Sequence, residues 1–205
     1  LEQPDRGSVS AAADLTRNPA ILVFQDYILF PTMSIFDNVA FGLTCRKVGK
    51  VQIAEKVIEM LDYFQLADKR DHFPAQLSAG QQQRVALARA MVVNPSLLLL
   101  DEPFANLDRN LKAETADFIR HFQKNYQITT ISVTHDLDEA FMMSDKIGIM
   151  LDGHLHQFDA VKQVYHAPVS AAVARFVGHV NVIPRDCFAD LVLPTNVDPA
   201  QDAIH

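Results

Sequence analysis

Short apolar runs alternate with longer amphipathic stretches along most of the chain. Three runs predict buried strands, at Ile21 to Phe24, Leu97 to Leu100 and Ile128 to Val133. The four leucines are typical of a parallel strand covered on both faces, and the third run is rich in β-branched residues. A further strand, Lys146 to Leu151, precedes an Asp152-Gly153 turn.

Helical periodicity fills the stretches between these runs. Thr32 or Ser34 is placed to cap a first helix. Residues 50–93 are predicted to be helical, as are 109–125 and 161–177. In the first helix of the 50–93 stretch, the apolar repeat predicts one buried face: Val51, Ala54, Val57, Ile58 and Leu61. A later helix is predicted to end at Asn94-Pro95, since proline cannot continue a helix. Its apolar positions are Val85, Leu87, Ala88, Met91 and Val92. Its polar positions are Gln82, Gln83, Arg84 and Arg89.

Chemically useful side chains stand where two of the predicted strands end. Asp101 and Glu102 close the leucine run, and His135 follows the run that ends at Val133. Open α/β sheets bind ligands at the carboxyl ends of their strands, so this sheet edge is a candidate site. A lone acidic pair or a lone histidine is usually a surface feature, but the two at one edge favour chemistry.

A second candidate site lies at the start of the helix that follows Leu77. Ser78 is a good N-cap residue, and its hydroxyl would sit among free backbone N–H groups at the positive end of the helix dipole. Such an end is suited to an anion, phosphate above all. Gly80 has no Cβ and would allow a ligand to approach the backbone closely.

The stretch from Leu77 to Asp108, LSAGQQQRVALARAMVVNPSLLLLDEPFANLD, closely resembles the signature motif, Walker B strand and D-loop of ABC-transporter ATP-binding subunits. Gln25 resembles the glutamine of that family's Q-loop, and His135 resembles its switch histidine. The resemblance covers about residues 1–180. It implies an α/β fold of the P-loop NTPase type, with a mostly parallel sheet flanked by helices and an inserted α-helical subdomain at about residues 32–93.

The resemblance also implies hydrolysis of ATP with Mg²⁺. Asp101 and Gln25 would bind the Mg²⁺, and Gln25 would also sense the attacking water. Glu102 would polarise that water as the general base, and His135 would contact the γ-phosphate.

A head-to-tail dimer follows from the same resemblance. The signature residues would bind the nucleotide held by a second ATP-binding subunit: Ser78, Ala79, Gly80 and Gln81. Asp108 would bridge the two copies. The other implied partners are transmembrane permease subunits and a solute-binding protein. The chain would then work at the cytoplasmic face of the inner membrane, as part of an importer of the sugar, polyamine, ferric-iron or sulfate type.

Two departures from the family pattern stand out. Ala79 replaces the first glycine of the usual signature. Its methyl group would stand close to the phosphate, but alanine fits a helix and Gly80 is kept, so we expect a modest effect. The Walker A pattern G-x-x-x-x-G-K-[ST] does not occur, since the glycines in the stretch Gly42 to Lys50 are too far apart and Val51 stands in the Ser/Thr position. The first strands and the Walker A loop are therefore expected to be missing. We expect residues 181–205 to be the truncated start of a C-terminal regulatory domain or a tail.

Composition adds two restrictions. The chain has 18 basic and 25 acidic residues, a net charge of −7, which disfavours a nucleic-acid partner bound through a general basic surface. No apolar run is long enough to span a membrane, and Cys45 and Cys187 form no metal or redox spacing, so a soluble protein in a reducing compartment is expected.

Two other readings stay open at this point. One is a soluble ABC ATPase with no transport role. The other is a non-hydrolysing remnant that docks to the membrane partner or supplies a signature motif to another subunit, which the missing Walker A pattern favours.

Overall fold

The computed structural model describes residues 5–7, 19–105, 107 and 109–178. These residues form two compact units, which divide between Glu139 and Ala140. A short strand predicted between Ser8 and Leu15, the predicted dimer contact Asp108, and the segment 181–205 lie outside the described residues. The single ATPase domain over residues 1–180 stays a prediction.

A parallel three-stranded sheet organises the first unit. Its strands are β1 (Ala20–Val23), β2 (Leu97–Asp101) and β3 (Thr129–Val133), in the order β1-β2-β3. Val23 pairs with Leu100, and Asp101 pairs with Val133, so all three strands end at the same edge. The predicted parallel sheet of an α/β fold is confirmed.

Helices follow each of these strands along the sequence. They are α1 (Ile35–Cys45), α2 (Lys50–Tyr63), α3 (Ala79–Met91), α4 (Arg109–Tyr126) and α5 (Leu137–Met143), the last of which spans the division between the units. Two 3₁₀ turns, Ala67–Lys69 and Pro74–Gln76, lead from α2 to α3. Ser34, one of the two predicted caps, accepts a hydrogen bond from the backbone N–H of Asp37 and so begins α1.

The prediction of buried helix faces is confirmed for α3 and partly wrong for α2. All five apolar positions predicted for the α3 stretch are buried. In α2, Val57 and Leu61 are buried, but Val51 is 72% exposed and Ile58 is 43% exposed. The buried stripe of α2 instead includes Ile53 and Met60, because these lie on one side of the helix with Val57 and Leu61 at a 3.6-residue period.

The prediction that β3 is a buried strand is wrong. Ile131 is 53% exposed and Val133 is 61% exposed, whereas Leu98 and Leu100 of β2 are fully buried. Successive side chains of a strand point to opposite faces, and Leu99 pairs with Ile131, so these two residues share a face. On that face Leu99 is only half-buried, and β2 is therefore well covered on one side alone.

After the end of α5, the second unit continues with an antiparallel hairpin of β4 (Lys146–Leu151) and β5 (His154–Ala160). The predicted turn joins them, with both central residues at positive φ, as tight hairpins require. The helix predicted over residues 161–177 is interrupted and forms α6 (Val161–His166) and α7 (Ala171–Val177). Pro168 lies in the gap, since proline cannot continue a helix, and Ser170 caps α7. Within the described ranges, no helix has the length and apolar character needed to cross a bilayer.

Candidate functional site

The sheet edge predicted from sequence carries three of the candidate residues. Asp101 is the last residue of β2, Glu102 follows it, and His135 lies two residues beyond the end of β3. The backbone N–H of Glu102 donates to Val133 O at 2.9 Å, which ties the end of β2 to the end of β3. Glu102 has a φ of 46°, so the chain turns sharply away from the sheet at this residue. We call Asp101, Glu102 and His135 the strand-end cluster.

Glu102 and His135 are in direct contact. His135 Nδ1 lies 2.7 Å from Glu102 Oε1. An ionised carboxylate can only accept, so the ring nitrogen donates this bond. The hydrogen bond that His135 donates to Glu102, and then the charge of that carboxylate, raise the pKa of His135 above its ordinary value. The histidine side chain is 80% exposed and that of Glu102 is 25% exposed, so the pair stands open to an incoming ligand.

Asp101 differs from its neighbour. Its side chain is exposed, and it makes no hydrogen bond or ion pair with the part of the chain that the structure describes. A free carboxylate beside a histidine-bonded one gives the edge two acidic groups with different surroundings. Asp101 is available to a cation, whereas one oxygen of Glu102 is already occupied by His135.

A partly buried ionic network holds the loop that carries His135. Lys112 of α4 donates to Glu139 Oε1 at 2.7 Å and to Asp136 Oδ2 at 3.2 Å. Thr134 Oγ1 donates to the other Glu139 oxygen at 2.7 Å. The hydrogen bond to Glu139 is the main reason why the pKa of Lys112 is raised. Because Glu139 is only 4% exposed, its paired charge anchors both sides of the loop that His135 occupies.

Asp136 also shapes this loop. Its Oδ1 accepts from the backbone N–H groups of Asp138 and Glu139, at 3.0 and 3.2 Å. Burial alone would raise the pKa of Asp136, but the bonds from the Glu139 backbone and from Lys112 bring it below its ordinary value. The carboxylate therefore caps the start of α5 immediately after His135.

The second candidate site, at the start of α3, is the predicted helix cap. Ser78 Oγ accepts from the Gln81 N–H at 3.3 Å, and Gln81 Oε1 accepts from the Ser78 N–H at 3.0 Å. This reciprocal capping box satisfies two backbone donors. Ser78 and Ala79 are exposed, whereas Gly80 is buried. We call residues 78–81 the helix-start cluster.

The structure gives a second reason for glycine at position 80, which the sequence did not indicate. A Cβ at this position would lie 2.6 Å from Leu111 Cδ2, a separation that real Cβ atoms essentially never show. The missing methyl therefore lets the start of α3 pack against Leu111, near the start of α4. Close packing of two helices is thus a sufficient explanation for this glycine, beside the predicted approach of a ligand.

Gln25 lies in the turn after β1, at the same edge of the sheet, and its side chain is exposed. The predicted Q-loop position is therefore at the end of a strand that neighbours β2. The structure makes no statement on Asp108, so its predicted role in a dimer stays a prediction.

Sequence reasoning missed a link between the two clusters. Gln83 was predicted as one of the polar positions of its helix, yet it is 1% exposed. Its Nε2 donates to the carbonyl of Pro103, the residue after Glu102, while its own Oε1 has no hydrogen-bond partner among the residues that the structure describes. The signal was available in the spacing, because Gly80, Gln83 and Leu87 fall on one face of a helix, and all three are buried.

Comparison with known proteins places the chain in a family. A sequence profile described as ABC transporter matches residues 1–105, and the chain therefore belongs to the ABC transporter family. The resemblance drawn from the Leu77–Asp108 stretch is confirmed at this level.

Three relatives are all import ATP-binding proteins by name. The chain is 45% identical over 190 residues to the Fe(3+) ions import ATP-binding protein FbpC of Rhizobium etli, covering 90% of this chain and 54% of that protein. It is 48% identical over 161 residues to the spermidine/putrescine import ATP-binding protein PotA of Oleidesulfovibrio alaskensis, covering 78% and 43%. It is 40% identical over 192 residues to the sulfate/thiosulfate import ATP-binding protein CysA of Synechocystis, covering 91% and 54%. The chain thus spans about half the length of these relatives.

Proposed function

We propose that this chain is the catalytic part of an ATP-binding subunit that hydrolyses ATP to energise import of a small polar or charged solute. The observation that carries the proposal is the 2.7 Å contact between Glu102 and His135 at the end of two parallel strands, beside the exposed Asp101. Family membership and the names of the relatives support the same reading.

In the proposed reaction, water attacks the γ-phosphorus of ATP while the bond from that phosphorus to the ADP oxygen breaks. Glu102 accepts the proton that the water loses, through a lone pair that His135 does not occupy. His135 donates a hydrogen bond toward the γ-phosphate by turning its ring between Glu102 and the ligand. Such a reaction relies on positioning and charge stabilisation rather than on a covalent intermediate.

The residues at this edge fit a magnesium ion that arrives with the nucleotide. Mg²⁺ usually keeps several waters and uses one or two carboxylates together with phosphate oxygens. Asp101 is an exposed carboxylate whose side chain has no partner among the described residues, and within those residues no cluster of three acidic, histidine or cysteine ligands occurs. Asp101 and Gln25 would hold the ion, whose charge would offset that of the triphosphate.

The helix-start cluster is proposed to act on a different nucleotide. Ser78, Ala79, Gly80 and Gln81 would bind the γ-phosphate of ATP held by a second ATP-binding subunit, with Asp108 bridging the two copies. The positive end of the α3 dipole is suited to that anion. The remaining proposed partners are permease subunits and a solute-binding protein, with the chain held at the cytoplasmic face of the membrane through the permease and no nucleic acid involved.

The decisive experiment compares two polypeptides. Residues 1–205 alone should have no measurable ATPase activity and very weak nucleotide affinity, because no Walker A nest or lysine offsets the charge of the triphosphate. The same chain preceded by a Walker A segment should bind and hydrolyse MgATP. Micromolar MgATP binding by residues 1–205, measured by calorimetry, would mean that the nucleotide sits elsewhere.

Transport is tested separately. Vesicles containing the permease and the extended chain should accumulate solute when supplied with ATP, and strict export would contradict the importer assignment. An extended chain that binds the permease without hydrolysing ATP would favour the non-hydrolysing role. Recovery with ribosomes and without a membrane protein would favour a soluble ABC ATPase.

A further inference from the structure

The loop that follows Gln25 has an unfavourable backbone conformation. Tyr27 has a φ of 58° and Ile28 a φ of 39°. Positive φ is uncommon outside glycine, asparagine and aspartate, and it is a true outlier for a β-branched residue such as isoleucine. Strain of this kind persists only where the surrounding structure enforces it, and it concentrates at functional sites.

One side chain enforces this conformation from another element. Arg89, in the last turn of α3, donates from Nη1 to the carbonyl of Ile28 at 2.8 Å and from Nη2 to the carbonyl of Tyr27 at 2.9 Å. Its guanidinium carbon also lies 5.3 Å from the centre of the Phe30 ring, within cation–π range. The planar fork of arginine suits two adjacent acceptors, and lysine cannot reproduce it.

The far end of the loop is fixed independently. Asn38 of α1 is fully buried, and its Oδ1 accepts from the Phe30 N–H at 2.8 Å. Its Nδ2 lies within hydrogen-bond distance of the carbonyls of Phe30 and Met33, at 3.1 Å from each. The segment between β1 and α1 is thus held at three points, by the strand, by Arg89 and by Asn38. Gln25 lies between the first two.

The same helix reaches the helix-start cluster. Ser78 caps one end of α3 and Arg89 lies in its last turn, roughly 16 Å away at the helical rise per residue. Between them, Val85, Ala86, Leu87 and Ala88 are buried, so the helix is packed along its length. The packed helix therefore connects the helix-start cluster to the two carbonyls that Arg89 binds.

We propose that Arg89 is a positioning residue, which fixes the carbonyls of Tyr27 and Ile28 and thereby couples the position of Gln25 to that of the helix-start cluster. The inference deepens the proposed ATPase function and rests on it. In this proposal, nucleotide binding at Ser78 changes the position of Gln25, the glutamine proposed to face metal and water at the strand-end cluster. The change passes through a single helix, α3.

A measurement of loop order tests the contact without any need for activity. Amide hydrogen exchange is followed for a peptide covering residues 24–30 in the unaltered chain, in Arg89→Lys and in Arg84→Lys. Arg84 is a matched control, since it lies on the same helix and contacts Gln65 and the Phe118 ring rather than the loop. We expect exchange about tenfold faster in Arg89→Lys only, as loss of a local hydrogen-bonded structure predicts. Equal exchange in all three would overturn the inference.

Kinetics then test positioning. In the chain preceded by a Walker A segment, Arg89→Lys should lower kcat about tenfold or more while KM for ATP stays within about twofold, because misplacement of a catalytic group acts mainly on turnover. A purely structural role would lower the melting temperature and leave the rate per folded molecule unchanged, which would contradict the proposal. Absence of ATPase activity in the unaltered extended chain would instead contradict the proposed function, and the exchange experiment would still decide on Arg89.

A second variant covers the case in which Arg89→Lys does not fold. Phe30→Leu leaves both hydrogen bonds possible and removes the aromatic ring beside the guanidinium. Faster exchange in residues 24–30, without a matching change elsewhere in the first unit, supports the proposal. Arg89→Gln, which is too short to span both carbonyls, tests the two hydrogen bonds themselves, and unchanged exchange together with unchanged kcat in Arg89→Gln would overturn the proposal.

Discussion

The strand-end cluster and the helix-start cluster are built in opposite ways. In the first, Glu102 and His135 are 33 residues apart in sequence and meet only because two parallel strands end together. In the second, Ser78 and Gln81 satisfy one another within a single helical turn. In the strand-end cluster, Asp101 and His135 are exposed to an incoming ligand. In the helix-start cluster, the hydrogen bonds between Ser78 and Gln81 are already formed, and a ligand would compete with them. The strand-end cluster thus depends on the tertiary fold, whereas the helix-start cluster depends on residues close together in sequence.

Among the predicted changes, loss of the proposed base, Glu102, should have the largest effect, and it should act on the strand-end cluster alone. In the chain preceded by a Walker A segment, Glu102→Gln should lower ATP turnover by on the order of 10²–10⁴-fold, the usual contribution of a general base. Dimerisation in the presence of nucleotide, measured by light scattering, should persist because the helix-start cluster is untouched. Glu55→Gln, an exposed position on α2, serves as the control. Near-normal turnover in Glu102→Gln would show that another group is the base.

The network behind His135 should matter next. Lys112→Met leaves the buried Glu139 carboxylate without its cation, and we expect the free energy of unfolding to fall by about 2 kcal/mol, the usual cost of losing a hydrogen bond to a charged group. Denaturant unfolding measures this, with the exposed Lys56→Met as the matched control. If Lys112→Met had the same unfolding midpoint as Lys56→Met, the ion pair between Lys112 and Glu139 would not stabilise the fold.

The helix-start cluster should respond more weakly. Ser78→Ala removes the cap and should cost about 1 kcal/mol of stability, whereas Ser78→Gly should cost only a few tenths, since glycine is tolerated at this position. Thermal unfolding of the two variants measures the difference. If both variants had the stability of the unaltered chain, the capping box would not contribute to folding.

The smallest effect concerns pH. The pKa of His135 is raised, so its pairing with Glu102 stabilises the fold below the ordinary histidine value of about 6.5 and is lost as pH rises through the higher folded value. Because the ring is mostly exposed, solvent and salt screen the interaction, and its effect on stability should be slight. An NMR titration of His135 should give a raised pKa that returns toward the ordinary value in Glu102→Gln. The same pKa in both proteins would contradict the pairing in solution.

Sequence reasoning predicted what depends on neighbours along the chain. The cap at Ser78, the end of α3 before Asn94-Pro95, the leucine strand and the acidic pair that follows it all depend on residues a few positions apart. The shared sheet edge was also predictable, because parallel strands that carry polar residues at their carboxyl ends bring them together.

The errors concern what lies across from each residue. Ile131 and Val133 have the composition of a buried strand, but burial depends on whether another element covers their face of the sheet. The same holds for Val51 on α2. The contacts of Asn38, Gln83 and Arg89 were not predicted, although Gln83 and Arg89 were named as polar positions of α3. Each of these side chains bonds to backbone carbonyls, which every residue type carries and which the sequence therefore does not reveal.

The contact between Gly80 and Leu111 has a consequence for how freely the motif can vary. A library randomised at positions 79 and 80 should retain many residues at 79, whose side chain is exposed, and should favour glycine at 80, where any Cβ would require the end of the Leu111 side chain to shift. Alanine in place of the family's usual glycine at 79 is an instance of that freedom. At 80, a second change that shortens Leu111, such as Leu111→Ala, should restore tolerance to alanine. Positions 80 and 111 would then vary together among selected sequences, even in a selection for folding without any ligand.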